Sequence, residues 1–255
     1  MKKNFTLIEL MLVIVIIAIF AGLLLPMLNS ARSRARRIQD LSNMKQVGVG
    51  LQSYSDASNG YMPCYDVGLY NGLPTYYTCA NQAWTQLSLN DVRAVGLGLL
   101  FAGGYVANPR IFFCTEPYFD GSSHLSYDNP DTGWARWKKP GWVVKLSMGI
   151  PSVLYRKGDL PAVKADWARN SPTMSEYPMS NILSDNTKKI VITCYGYKYS
   201  INDKPPHDGD GVNIIFGDNS GRWQKIDKSV IVWLAADKSY SASRLFGWLN
   251  SHVVR

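Results

Sequence analysis

Histidine, cysteine and recognisable catalytic motifs are all scarce in this chain of 255 residues, and each scarcity removes a class of function. The three histidines, His124, His207 and His252, include no close pair, which argues against a catalytic zinc site. No G-x-x-x-x-G-K-[ST] and no G-x-G-x-x-G occurs, so no glycine-rich loop is available to cradle a nucleotide phosphate. No G-x-S-x-G elbow places a nucleophilic serine. The chain is therefore not read as an enzyme. The four cysteines, Cys64, Cys79, Cys114 and Cys194, have no C-x-x-C spacing, which argues against a cysteine metal site. In an oxidising compartment their even number permits two disulfides; Cys64 with Cys79 closes a short loop and is the favoured pair, buried thiols being the alternative.

Charge is missing where it matters most. From Phe5 to Leu28 the 24 residues carry one charged side chain, Glu9, with Lys2 and Lys3 just ahead. At ~1.5 Å per residue such a run crosses a hydrocarbon core of roughly 30 Å as a helix. A carboxylate inside hydrocarbon costs at least ~2.5 kcal/mol, so a cationic partner is expected for Glu9. Three readings compete: a cleaved secretory signal peptide, a plain anchor, and a leader followed by a retained helix. The first lacks a small-x-small cleavage site, since Ala21 has Ile19 two residues before it. The second leaves Glu9 unexplained.

Lys2-Lys3-Asn4 followed by Phe5-Thr6-Leu7-Ile8-Glu9-Leu10 resembles the type III signal of type IV pilins and type II secretion pseudopilins. The resemblance implies that residues 1–4 are a leader, that a prepilin peptidase cuts between Asn4 and Phe5, and that the new Phe5 amine is methylated. The family usually has Gly where this chain has Asn4. Thr6, Glu9 and Pro26 are the assembly residues so implied. The Glu9 carboxylate of one subunit would meet the Phe5 amine of the next; unit charges ~4 Å apart attract by ~4 kcal/mol at an effective dielectric of ~20. Pro26 removes a backbone hydrogen bond and is expected to kink or locally melt the helix near Gly22.

Past the apolar run, Ile38, Leu41, Met44, Val47, Leu51 and Tyr54 recur at helical spacing, the stripe of a helix covered on one side. Gly48 and Gly50 weaken helicity but allow close approach of a sheet. Asp56, Ser58, Asn59, Gly60 and Pro63 supply the stop. Residues 36–63 are also similar to the helix end of a pilin-like family abundant in planctomycete and Lentisphaerae-type bacteria, which reads C-x-N-N-L-K-Q-I-G-L-A-L-x-x-Y and then N-G-x-x-P. Asp40 stands here in place of its cysteine. That family's late H-x9-D-G motif has a looser counterpart in His207 and Asp218, with ten residues between.

Basicity is local. Residues 1–46 hold seven Lys/Arg against two acids, a net of +5 out of the chain's +8. Arg32, Arg34, Arg36 and Arg37 crowd just past the apolar run without aromatic interleaving, the pattern of a membrane-surface collar and not of a nucleic-acid site.

The remainder is long enough for one globular domain with a core. Lys188–Cys194, Gly211–Phe216, Gly221–Ile226 and Gly141–Leu146 are β-prone, with a hairpin signal at 217–220. Short helices are expected over Leu97–Tyr105 and Tyr240–Ser251. The fold class is α+β and pilin-like: one long N-terminal helix, transmembrane and then amphipathic, packed on a small antiparallel sheet with long loops. The expected divisions are a leader at 1–4, a transmembrane assembly helix at 5–28, an amphipathic continuation at 29–56 and an extracytoplasmic domain at 57–255.

No cofactor is required by these residues. The oxygen-rich segment around Asp208 and Asp210, with Asp218, suits calcium, which major pseudopilins bind in a C-terminal loop; a solvated turn explains it as well. Trp134, Trp137, Trp142 and Trp167 suit either sugar or partner stacking, or plain packing. The resemblance implies a structural subunit of a type II secretion pseudopilus or type IV pilus-like filament. Its partners would be other pilin subunits, the prepilin peptidase, the assembly platform and inner-membrane lipid, with no nucleic acid. The N-terminus would be cytoplasmic and the domain periplasmic before assembly. The alternative is a membrane-anchored extracytoplasmic module that binds glycan or protein and does not polymerise; an anchored enzyme ranks third.

Overall fold

The computed structural model describes residues 6–63, 75–77, 79–80, 93–94, 97–115, 127–128, 145–150, 183–194, 207, 210–227, 229–230 and 248–253. Asn4, Phe5, Cys64, His124, Asp208 and the tryptophans at 134, 137, 142 and 167 lie outside them, and with them the expected cleavage site and the Cys64–Cys79 bridge.

The chain opens with one helix, α1 (Leu7–Ala57), of 51 residues. At ~1.5 Å per residue it is roughly 77 Å long. Thr6 caps its N-terminus, and a run made mostly of Leu, Ile, Val and Ala, with Glu9 its one charged residue, carries the first six turns. Helical backbone continues through Pro26, so the expected local melting near Gly22 is not seen in the single chain; the hydroxyl of Ser30 donates to the Pro26 carbonyl at 3.2 Å within the same helix. Asn59 and Gly60 adopt left-handed backbone, φ 54° and 85°, and the Gly60 N–H folds back onto the Ser55 carbonyl at 2.8 Å. The helix stops where the Asn-Gly pair permits it.

Five antiparallel strands form the main sheet: β1 (Thr75–Tyr77), β4 (Lys145–Ile150), β5 (Ile190–Cys194), β6 (Gly211–Phe216) and β7 (Gly221–Lys225), in that spatial order. A second pair joins β2 (Cys79–Ala80) to β3 (Arg93–Ala94). The strands β5, β6 and β7 fall where their β-branched and aromatic content places them. The β4 strand runs Lys145–Ile150 and overlaps the expected Gly141–Leu146 at Lys145 and Leu146, with Met148 facing Cys194 and Gly149 facing Thr193; residues 141–144 lie outside the described residues. The β6–β7 hairpin closes through a turn at 217–220 in which Asn219 takes φ 63° and the Asp218 carboxylate accepts the Ser220 N–H at 2.8 Å.

The C-terminal half of α1 lies on β5, β6 and β7. Met44, Val47 and Leu51 are buried there with Ile190, Ile192, Ile214 and Ile215. Each such side chain contributes about 1.5–3 kcal/mol on leaving water. Helix α2 (Gly98–Ala102) and a 3₁₀ turn (Pro109–Phe112) close the side of this core with Leu97, Leu100 and Phe112. Residues 248–252 are helical, and Leu249 reaches the core.

Two sequence expectations change here. Ile38 is 68% exposed and does not belong to the packed stripe. It lies roughly 200° around the helix from Asp40, and Asp40 is on the buried face. Arg37 is likewise no headgroup arginine. Its guanidinium sits 4.3 Å above the Trp223 ring and 2.9 Å from Asp210, against the globular domain.

Candidate functional site

Two places carry chemistry, one at the head of α1 and one on its sheet-packed half. At its head the sequence Thr6-x-x-Glu9 builds a reciprocal cap. The Glu9 N–H donates to the Thr6 hydroxyl at 3.3 Å, while the Glu9 carboxylate accepts the Thr6 N–H and O–H, both at 2.8 Å. A capping box of this kind satisfies otherwise orphaned helix donors. Thr6 therefore has a local role that its place among the assembly residues did not reveal, although the T-x-x-E spacing is readable in the sequence. Below it, Leu7 to Leu28 present large apolar side chains with nothing from the chain itself covering them. Among the described residues one helix is thus long and apolar enough to cross a membrane.

Farther along α1, a polar cluster lies inside the junction between helix and sheet. Asp40 enters from α1, Cys114 from the segment after the 3₁₀ turn, Cys194 from the end of β5, and His207 from the approach to β6. Local structure fixes each. Asn108 caps the turn by accepting the Arg110 N–H at 3.0 Å, Pro109 starts it, and Ile111, Phe112 and Phe113 anchor it in the core, which brings Cys114 against the helix. Cys194 ends a strand buried along its length. His207 holds left-handed backbone, φ 54°, with its carbonyl accepting the Asp210 N–H at 3.1 Å.

The side chains meet at one imidazole nitrogen. Cys194 Sγ is 3.3 Å, Cys114 Sγ 3.7 Å and Asp40 Oδ2 3.8 Å from His207 Nε2. The Cys114 thiol donates to Asp40 Oδ2 at 2.9 Å, and the Thr115 N–H donates to Oδ1 at 2.7 Å. The Asn213 N–H donates to Cys194 Sγ at 3.0 Å. Asp40 and His207 are both 0% exposed. Trp223 meets the His207 ring edge-on at 5.1 Å, and the Arg37 guanidinium stacks over the Trp223 ring. Burial pushes the Asp40 carboxyl above its ordinary value, opposed by the hydrogen bonds from Cys114 and Thr115 and by His207. Burial pushes the Cys114 thiol up as well. Cys114 and Cys194 stand as thiols. Asp40, Cys114 and His207 offer ligand atoms that all lie within 4.8 Å of one another, so these residues are able to hold a metal ion.

Sequence spacing pointed away from this cluster, since its members are 74, 80 and 13 residues apart along the chain. The readable signal was Asp40 itself, an acid on the helix face that packs. Of the residues considered for calcium, Asp210 pairs with Arg37 and Asp218 sits in the hairpin turn. His252 stacks on Trp248 at 4.9 Å, away from the cluster. Compared with protein families, with curated proteins and with solved structures, the chain finds no match.

Proposed function

We propose that this chain is a structural subunit of a filament of the type II secretion pseudopilus or type IV pilus kind, held in the inner membrane by the first half of α1 until assembly. One observation carries the reading: a single continuous helix whose first six turns are apolar and uncovered and whose last turns are built into a sheet domain. Uncovered apolar surface of that length needs lipid or other copies of itself around it. The T-L-I-E head of the helix, with Lys2 and Lys3 before Phe5, supports processing by a prepilin peptidase between Asn4 and Phe5. Glu9 then lies one turn below a new cationic amine. Staggered copies bring the carboxylate of one to the amine of the next, which lowers the cost of both in a low-dielectric bundle.

Mass spectrometry of the mature N-terminus tests the proposal. The expected species starts at a methylated Phe5. Protein that begins at Met1 overturns it and favours the anchored binding module, and protein that begins after Ala21 overturns it in favour of simple secretion.

A further inference from the structure

We propose that Asp40, Cys114 and His207 bind one zinc ion that ties α1 to the sheet, and that Cys194, 3.3 Å from the imidazole, moves in as the fourth ligand. The inference does not depend on filament formation.

Convergence is the first argument. A hydrolytic relay of Cys, His and Asp engages the two ring nitrogens with different partners, one for the nucleophile and one for the carboxylate. Here both sulfurs and the carboxylate oxygen point to the same nitrogen, Nε2. A ring so surrounded shares a central point with its neighbours. His207 and Asp40 are themselves fully buried.

Distance is the second. With Zn–S near ~2.3 Å and Zn–N or Zn–O near ~2.0–2.2 Å, tetrahedral geometry sets neighbouring ligand atoms roughly 3.4–3.6 Å apart, and two sulfurs roughly 3.8 Å apart. The three separations from Nε2, 3.3, 3.7 and 3.8 Å, bracket that spacing; Asp40, Cys114 and His207 hold their ligand atoms within 4.8 Å of one another, and Cys194 Sγ has to close on Asp40 and Cys114 as the ion binds. The 2.9 Å between Cys114 Sγ and Asp40 Oδ2 is a thiol hydrogen bond. It opens by roughly 0.7 Å once the thiol proton leaves and both atoms ligate.

The surroundings are the third. Metal ligands are oriented by outer hydrogen bonds, and two are in place: the Asn213 N–H on Cys194 Sγ and the Thr115 N–H on Asp40 Oδ1. His207 keeps a left-handed backbone that a non-glycine residue adopts at a cost, a feature that concentrates at functional sites. The donor set of two sulfurs, one imidazole nitrogen and one carboxylate oxygen selects zinc over calcium or magnesium, which take oxygen ligands. On binding, the two thiol protons go to solvent, and the ion is held by two thiolates, a carboxylate and a neutral imidazole.

The test is metal analysis of the full chain purified in detergent under reducing conditions without chelator. A single zinc per chain is expected. Stripped protein titrated with Co²⁺ is expected to show the visible bands of a tetrahedral ion together with thiolate charge transfer. Cys194→Ser should weaken zinc binding by more than the ~10–100-fold typical of losing an outer partner. Asp40→Cys adds a third thiolate, and is expected to tighten binding and strengthen the charge-transfer band, an outcome that a merely structural role for Asp40 does not produce. Three results overturn the proposal: no zinc with no Co²⁺ spectrum in folded wild-type protein, preference for calcium or magnesium, or a Cys114–Cys194 disulfide in protein isolated without reductant. None of them bears on the processed N-terminus.

Discussion

Glu9 does two jobs that a single alanine substitution would merge, because it both caps the helix through Thr6 and carries the only charge in the apolar run. Three variants separate them. Glu9→Gln keeps an acceptor for the Thr6 N–H, as the capping box allows, and removes the charge. Thr6→Ala removes the cap at a cost of about 0.5–2 kcal/mol and keeps the charge. If pairing with a neighbouring amine sets filament register, Glu9→Gln and Glu9→Ala should both remain in the membrane fraction and disappear from sheared filaments, while Thr6→Ala still assembles at reduced yield. Wild-type assembly by Glu9→Gln would sink the charge-pairing idea. Arg37 offers a second test at this scale. Its stack on Trp223 is a flat guanidinium over a flat ring, so Arg37→Lys keeps the charge and loses the fit. A loss of about 0.5–1 kcal/mol is expected in urea unfolding, with the Asp210 pair adding little at its exposed position. Four neighbouring arginines look alike in sequence, and only the ~100° step of the helix turns Arg37 toward the domain while Arg32 and Arg34 stay exposed.

Glycines decide how closely the elements approach. A methyl group at Gly217 would run into the backbone of Asn186 and Thr187, and that backbone is held by the bonds Gly217 N–H to the Lys189 carbonyl at 3.1 Å and Lys189 N–H to the Asn186 carbonyl at 2.8 Å. A methyl group at Gly48 would meet the end of the Asn219 side chain, which can rotate. Gly217→Ala is therefore expected to destabilise by about 1–3 kcal/mol, the range for overpacking against a stiff neighbour. Gly48→Ala should change stability much less, because the gain in helix propensity of about 1 kcal/mol offsets the displaced side chain. Denaturant midpoints of the two variants check the order; equal losses would contradict it. The sequence reading that Gly48 and Gly50 allow close approach holds for the hairpin turn at Gly48, whereas Gly50 admits Val106 and the Tyr105 carbonyl instead of the sheet. Strands β5 to β7 were legible from their β-branched runs and the hairpin turn. Strand β4 was legible only at Lys145 and Leu146, because its continuation to Ile150 runs through Ser147 and Gly149, which carry little β propensity, and is held by pairing with β5. Ile38 misled for a related reason: spacing alone gives a stripe, but the burial of Asp40 rotates that stripe away from it.

The two halves of α1 are bound by different surroundings, and this predicts what happens when they are parted. Residues 7–28 are apolar and uncovered, while Met44, Val47 and Leu51 lie in the sheet core. The core therefore owes the first half nothing through direct packing. A chain shortened to begin at Ser30 is expected to stay soluble without detergent and to keep the unfolding midpoint of the full chain, since every buried side chain of α1 lies between Asp40 and Ser55. Replacing Met44 with Ala in that shorter chain should cost about 2–5 kcal/mol, as for other buried large-to-small changes. Urea titration followed by tryptophan fluorescence measures both. The overall plan, helix first and sheet after, was readable from the length of the apolar run and the change of period beyond it. The polar junction was not, because it assembles from four distant stretches of chain. If removal of residues 1–29 lowered the midpoint by as much as Met44→Ala does, the apolar half would have to contact the domain, and the division of one helix into a membrane part and a core part would fail.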